Sequence, residues 1–236
     1  GSDLQVGNGA WKGPDGIGMR LDGKQGFSIS SSKFARDDYQ DYTLMFWFRT
    51  TDEEGTLLSN GEAEQEADYA NHFNFGVRKG MMNLRLGGRE ITTNAKVNDG
   101  NWHHTALTVR RSRNVGNFYV DDQLKSSFTV DTLGGVSPTI YAGVTYVNAD
   151  TKTRPITGHI DEIAMYEMVL PENMIKNHAN TTPSGEEMGL LAYLNFSQNE
   201  LQMDNSQRLV PTGISMKRYI DPVTGKQTAQ PDTIVA

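Results

Sequence analysis

The sequence predicts an all-β protein built as two packed antiparallel sheets. Three observations lead there. Apolar residues recur mostly at every second position, the period of a half-buried strand. Roughly ten to twelve segments carry this pattern, too many for one open sheet and suited to two sheets packed face to face. Only one stretch has the start signals of a helix, and the 24 glycines and nine tyrosines suit turns and strands.

The elements follow in order. Phe27-Ser28-Ile29-Ser30 alternates apolar and polar. Thr43 to Arg49 sets Leu44, Phe46 and Phe48 on one face and Met45 and Trp47 on the other. Apolar residues on both faces mark a central strand covered on each side. His72 to Val77 and Met81 to Leu86 flank Arg78-Lys79-Gly80 as a hairpin, and Gly87-Gly88 ends its second strand. Trp102 to Val109 and Asn117 to Val120 form a pair, with Gly116 assigned to the loop between them. Asp121-Asp122 reads as a tight turn into a short strand at Gln123 to Ser127. Ile140 to Val147 and Ile156 to Glu167 follow.

One short helix is predicted near residues 171–178. Pro171 lies near its first position, Glu172 in its first turn, and Met174 and Ile175 give it a small apolar face. Thr181 to Gly185 is a turn or linker, and Leu190 to Phe196 is a further strand. From Pro211 the chain is polar with little periodicity. The expected organisation is therefore a sandwich over residues 3–196 and a C-terminal extension over 197–236, either packed on the sandwich or leading to another domain.

Composition narrows the partners. A chain of 236 residues buries a full core without staples, and the absence of cysteine removes disulfides and thiolate metal sites. A net charge of -7 argues against an electrostatic grip on nucleic acid or anionic lipid. Arg110, Arg111 and Arg113 form the one compact basic group, read as a solvated turn rather than a phosphate site. The longest apolar run, Leu44 to Phe48, is far short of the ~20 residues of a membrane span. Gly1-Ser2 reads as a cloning remnant, and no signal peptide is visible.

Three ordered segments carry a family resemblance. The first is Met19-Arg20-Leu21-Asp22-Gly23 with the strand ending Phe46-Trp47-Phe48. The second is Asp99-Gly100-Asn101-Trp102-His103-His104 followed by Phe118-Tyr119-Val120-Asp121-Asp122. The third is Gly158-His159-Ile160-Asp161-Glu162-Ile163-Ala164-Met165-Tyr166 followed by Leu170-Pro171-Glu172. Together, over about residues 19 to 180, they resemble the laminin-G-like, concanavalin A-like jelly-roll family, especially its bacterial multi-domain branch. Two departures stand out. Asp122 occupies a place the family usually gives to glycine, and Gly189 to Phe196 looks like an opening strand displaced towards the C-terminus. That strand either takes the opening strand's place or begins a second repeat.

The resemblance implies an antiparallel jelly-roll sandwich in an exported protein, placed outside the cell, in a periplasm or on the cell surface. It also implies a structural Ca²⁺ between the N-terminal and final strands, with Asp22 and Asp161 as candidate ligands. The competing reading has Asp161 capping a turn and Asp22 serving an Asp-Gly turn. Asn148-Ala149-Asp150 is a lesser alternative for the ion.

Relatives of the same fold include glycosidases, which makes Asp161, Glu162 and Glu167 the nearest candidate carboxylates. Regular alternation puts Asp161 and Glu167 on one face and Glu162 on the other. At strand spacing Asp161 and Glu167 stand about 20 Å apart, whereas glycoside hydrolysis needs roughly 5 to 9.5 Å. No catalytic residues are assigned. His103 and His104 point to opposite faces of a strand and cannot share one zinc, and Trp102 reads as a packing residue. Candidate glycan-binding groups fall on loops: Tyr69 and His72 in the acidic stretch after Glu62, Tyr146 and Arg154 on a second loop, and Trp11 near the N-terminus. The expected function is a non-catalytic carbohydrate-binding module, monomeric, within a larger exported protein. A glucanase-like hydrolase and a protein-adhesion spacer are the alternatives.

Overall fold

The computed structural model describes residues 19–24, 26–30, 34–37, 39–60, 73–86, 89–130, 136–137, 139–146, 152–180 and 187–194, with three short strands beyond them. The first strands are β1 Met19–Asp22, β2 Phe27–Ser30, β3 Tyr42–Arg49, β4 Glu54–Asn60, β5 Phe73–Arg78 and β6 Met81–Leu86. There follow β7 Arg89–Lys96, β8 His103–Arg110, β9 Val115–Val120, β10 Gln123–Thr129, β11 Thr139–Ala142 and β12 Thr145–Tyr146. After β13 Lys152–Thr153 and β14 Thr157–Tyr166 come helix α1 Glu172–Asn180 and β15 Leu190–Leu194. The last are β16 Gln202–Met203, β17 Leu209–Val210 and β18 Thr233–Val235.

Two seven-stranded antiparallel sheets form the expected sandwich. The first runs β1-β14-β3-β8-β9-β10, with β15 also paired to β14; the second runs β18-β2-β11-β4-β5-β6-β7. β3 is the covered central strand that its pattern predicts. Tyr42, Leu44, Phe46 and Phe48 enter the main core, while Met45 faces a second cluster on the sheet's outer side. Phe46 meets Phe75 of the opposite sheet edge-on at 5.2 Å, and Phe75 lies 6.0 Å from Phe118. Each such ring contributes about 1.5–3 kcal/mol by leaving water.

The turns explain the registers. Lys79 and Gly80 both take positive φ, 51° and 76°, as a two-residue hairpin between twisted strands requires. Asp121 and Asp122 do the same at 48° and 63°, so Asp122 accepts left-handed geometry where glycine would be easier. The β8–β9 connection is a 3₁₀ turn, Arg111–Arg113, closed by left-handed Asn114. Gly116 therefore sits inside β9, not in a loop. It stays bare because a Cβ there would lie 2.6 Å from the Phe128 ring.

Two strands lack a strong sequence pattern. β4 opens with Glu54 and Gly55, which mask its apolar half. β7 places Ile91, the polar Thr93 and Ala95 on its inner face, alternating with Thr92, Asn94 and charged residues. The displaced strand finds its place too. β15 pairs with the distal half of β14, Ile163 opposite Leu194, on the same edge where β1 holds the proximal half, Ile160 opposite Met19. The two strands thus share one edge, end to end. Beyond residue 194, β18 runs antiparallel to β2.

Between those halves β14 bulges. Its pairing with β3 shifts between Asp161 and Ala164, and Glu162 takes φ 55°. Regular alternation of Asp161, Glu162 and Glu167 is therefore overturned: Asp161 and Glu162 are both buried, and Glu167 lies past the strand's end. Extra residues in a bulge break the two-residue period locally.

Candidate functional site

The outer faces of the two sheets differ. On the first, Met45, Ala106, Ala164 and Tyr166 are covered by Leu170, Ile175 and Leu190. The helix starts after Pro171, whose carbonyl accepts from the Met174 and Ile175 amides. Tyr166 shares a 2.6 Å hydrogen bond with Nε2 of His178.

On the second sheet the outer residues of β5 are Asn74, Gly76 and Arg78, alternating with core-facing Phe73, Phe75 and Val77. β6 adds Asn83 and Arg85 between Met82, Leu84 and Leu86. These polar positions, with Glu54 and Thr56 of β4, line an open cavity of about 390 Å³. Arg154 and Pro155 form its wall. The wall is held by the Thr56 amide, which donates to the Arg154 carbonyl at 2.9 Å. Arg154 itself is left-handed, φ 52°, and Gly55 must be glycine because a Cβ would press on Pro155 and Ile156 at 2.6 Å.

The neutral polar groups are bound to one another. Thr56 Oγ1 and Thr145 Oγ1 are 2.8 Å apart, and Asn74 Nδ2 donates to Thr145 at 2.9 Å. Asn83 Nδ2 donates to Glu90 at 3.1 Å and Thr92 at 3.0 Å. A hydrogen bond from Arg78 holds the Glu90 carboxyl below the usual range. The Glu54 carboxylate accepts the Lys79 amide at 3.0 Å, which fixes the hairpin at the cavity's rim. Cationic groups dominate the lining: Arg78, Lys79, Arg85 and Arg154 stand against Glu54, with Glu90 beside Arg78 and Arg85.

Of the residues expected at a glycan site, Arg154 lies on this cavity. The backbone of Tyr146 pairs with Lys152 beside it in sequence from Thr145. Trp11, Tyr69 and His72 lie outside the described residues, as do Asn148 and Asp150. Thr56, Asn74, Asn83 and Arg85 were not anticipated. For Asn74, Asn83 and Arg85 the signal lies in the polar positions alternating within Phe73–Arg78 and Met81–Leu86; Thr56, on β4, has no such pattern around it.

The two candidate calcium ligands are not brought together. Asp22 is exposed and accepts the Lys24 amide at 2.8 Å, closing its Asp-Gly turn. It sits opposite Thr157, four residues before Asp161 on β14, a separation of about 13 Å at strand spacing. Asp161 is buried and its Oδ1 accepts the Glu162 amide at 2.8 Å, serving the bulge. Direct ligands of one Ca²⁺ stand 2.3–2.6 Å from it, so this pair does not fit one ion. Among the described residues no group of three or more His, Asp or Glu is placed to hold a metal.

The adjacent histidines part as expected. His103 sits between two carboxylates, Nε2 2.9 Å from Asp99 and Nδ1 2.7 Å from Asp121. Burial opposes its charge, but Asp121 and Asp99 outweigh that and raise its pKa. His104 packs edge-on to Trp47, with ring centroids 5.2 Å apart, on the other side. Burial first, and His178 second, lower its pKa to about 3, so it stays neutral. Trp102 is buried beneath the Arg49 guanidinium, 5.3 Å from the ring.

Comparison with known proteins matches this architecture. Over 164 residues the chain is 29% identical to the rat protein "Sushi, von Willebrand factor type A, EGF and pentraxin domain-containing protein 1", covering 65% of this chain and 4% of that one. A Bacteroides ovatus protein described as carbohydrate-binding superposes with a TM-score of 0.60 at 14% identity, over 82% of this chain and 55% of the other. The CBM40 of the Ruminococcus gnavus IT-sialidase gives 0.53 at 17% identity, over 70% and 96%. At these identities the superpositions show a shared fold. The sequence profile of the concanavalin A-like lectin/glucanases superfamily matches residues 21–176, and the chain belongs to that superfamily.

Proposed function

We propose that this chain is a non-catalytic carbohydrate-binding module whose ligand seats in the cavity of the second sheet. The observation that carries the reading is the cavity itself: an open polar trough on a rigid sheet, opposite a face sealed by a helix. Sugar sites need fixed hydrogen-bonding groups on an ordered scaffold; the mutually bonded polar groups of β4, β5 and β6 order the base, and Arg78, Lys79 and Arg154 stand exposed above it. Glycoside hydrolysis uses two carboxylates, whereas the lining carries Glu54.

Two of the similar folds are described as carbohydrate-binding, which is consistent with this use of the scaffold. The rat relative is matched over 4% of its length, which favours action as one module of a larger exported protein. No described helix is long and apolar enough to cross a membrane. The module acts as a monomer in this reading.

A glycan array probed with the intact chain tests it. Binding to a defined class of glycans, competed by the free sugar, supports the module. A silent array, with tight capture by a protein ligand instead, replaces it with an adhesion role. Sugar release from bound polysaccharide replaces it with a hydrolase.

A further inference from the structure

We infer that the cavity selects acidic glycans, sugars bearing a carboxylate or sulfate, and grips the anion between Arg154 and Lys79 with Arg85 at the floor. The inference rests on the binding-module reading and adds the ligand's charge. Four cationic side chains and one carboxylate line the cavity, and Glu90 beside it pairs with Arg78 and stands 3.8 Å from Arg85, which leaves a local cationic excess although the chain as a whole has 29 acidic and 22 basic residues. The imbalance is local and opposite in sign to the protein.

The state of each donor sharpens this. Thr56, Asn74 and Asn83, the neutral polar groups, hydrogen-bond to neighbouring side chains. Arg154 and Lys79 form no side-chain ion pair among the described residues, and both are exposed on the cavity's rim. They come from different elements, the β13–β14 connection and the β5–β6 turn, so an anion between them would meet charge from two sides. Arg85 is buried, its side chain 8% exposed and its Nε 3.8 Å from Glu90, which places a partly compensated guanidinium below them where solvent screens it less. A guanidinium's planar fork matches a carboxylate or sulfate better than a neutral hydroxyl. The surrounding net charge of -7 repels polyanions elsewhere on the surface, so attraction must be local.

The test is titration calorimetry on the intact chain with two matched pairs: polygalacturonate against its methyl ester, and dextran sulfate against dextran. At least one charged member should bind about tenfold or more tightly than its neutral partner. Its affinity should fall with salt and drop about tenfold in Arg154→Gln and in Lys79→Gln, exposed substitutions that leave folding intact. The pair that responds tells carboxylate from sulfate. Equal binding of charged and neutral partners overturns the inference and leaves the module reading standing. So does charged binding that both variants leave unchanged, since the site is then elsewhere. If neither pair binds, the inference falls, and hits or silence on the glycan array decide the module reading separately.

Discussion

The outer faces of the two sheets obey the same alternation rule and end in opposite states. On the first sheet the outward positions of β3, β8 and β14 are Met45, Ala106 and Ala164, small or apolar, and α1 lies across them. On the second they are Asn74, Asn83 and Arg85, polar groups that are themselves buried and lie beneath the exposed Arg78, Lys79 and Arg154. A sandwich needs only one inner face per sheet to fold. The other two faces are available, and here one is used for stability and one is left chemically addressable. The difference lies in a handful of outward side chains rather than in the backbone.

Substitutions can break or sharpen that contrast. Ile175→Ala in α1 removes a buried side chain from the sealed face and should cost about 2–4 kcal/mol in urea unfolding. A loss under about 1 kcal/mol would mean that the helix is not an integral cover. His103→Ala, at the rim of the first sheet, should cost about 1–3 kcal/mol because two carboxylates lose their partner. That cost depends on pH. The folded pKa of His103 is raised, so its contribution is full below about pH 6.5 and is lost as pH rises through the raised value.

The Asp99 side of the pair has the opposite sign. Burial pushes its carboxyl up, but hydrogen bonds from His103 and Asn101 outweigh this and lower it. Its contribution is present above about pH 3.9 and is lost as pH falls through the lowered value. Wild type should therefore be most stable, relative to His103→Ala, between those limits. A pH-independent difference between the two would reject the charged pairing.

On the open face, effects should be smaller. Thr145→Val cuts the hydroxyl shared by Thr56 and Asn74 and should cost about 1–2 kcal/mol. Arg154→Gln should shift stability by no more than about 0.5 kcal/mol. If Arg154→Gln destabilised as much as Ile175→Ala, the contrast between a structural and an addressable face would fail.

Much of this was legible from sequence, and the gaps have physical causes. β3 could be read because a short run of five apolar residues, three of them aromatic, suits a strand covered on both faces. The Lys79-Gly80 and Asp121-Asp122 turns could be read because few residues accept left-handed backbone. β7 could not, since Ile91 is its single large inner side chain. The bulge at Glu162 escaped because alternation assumes an unbroken pleat, and the distance between Asp22 and Asp161 escaped because the β1–β14 register, which sets Asp22 opposite Thr157, is a long-range pairing. At the cavity, Arg154 is legible as a loop cation, which is local information. Thr56, Asn74 and Arg85 depend on which face of a strand looks outward and what lies beside it, and that is set by pairing partners far away in sequence.

The position of β14 has a consequence for how the chain is made. β14 sits between β3, paired from 110 to 123 residues upstream (His159 with Arg49, Tyr166 with Thr43), and the end-to-end pair β1 and β15. Until residue 166 has emerged from the ribosome, β3 presents a long apolar strand with one unpaired edge, the geometry that recruits other chains. Contacts so distant in sequence also slow folding. A nascent chain should therefore depend on chaperones until β14 docks, and fragments ending before residue 157 should aggregate rather than fold.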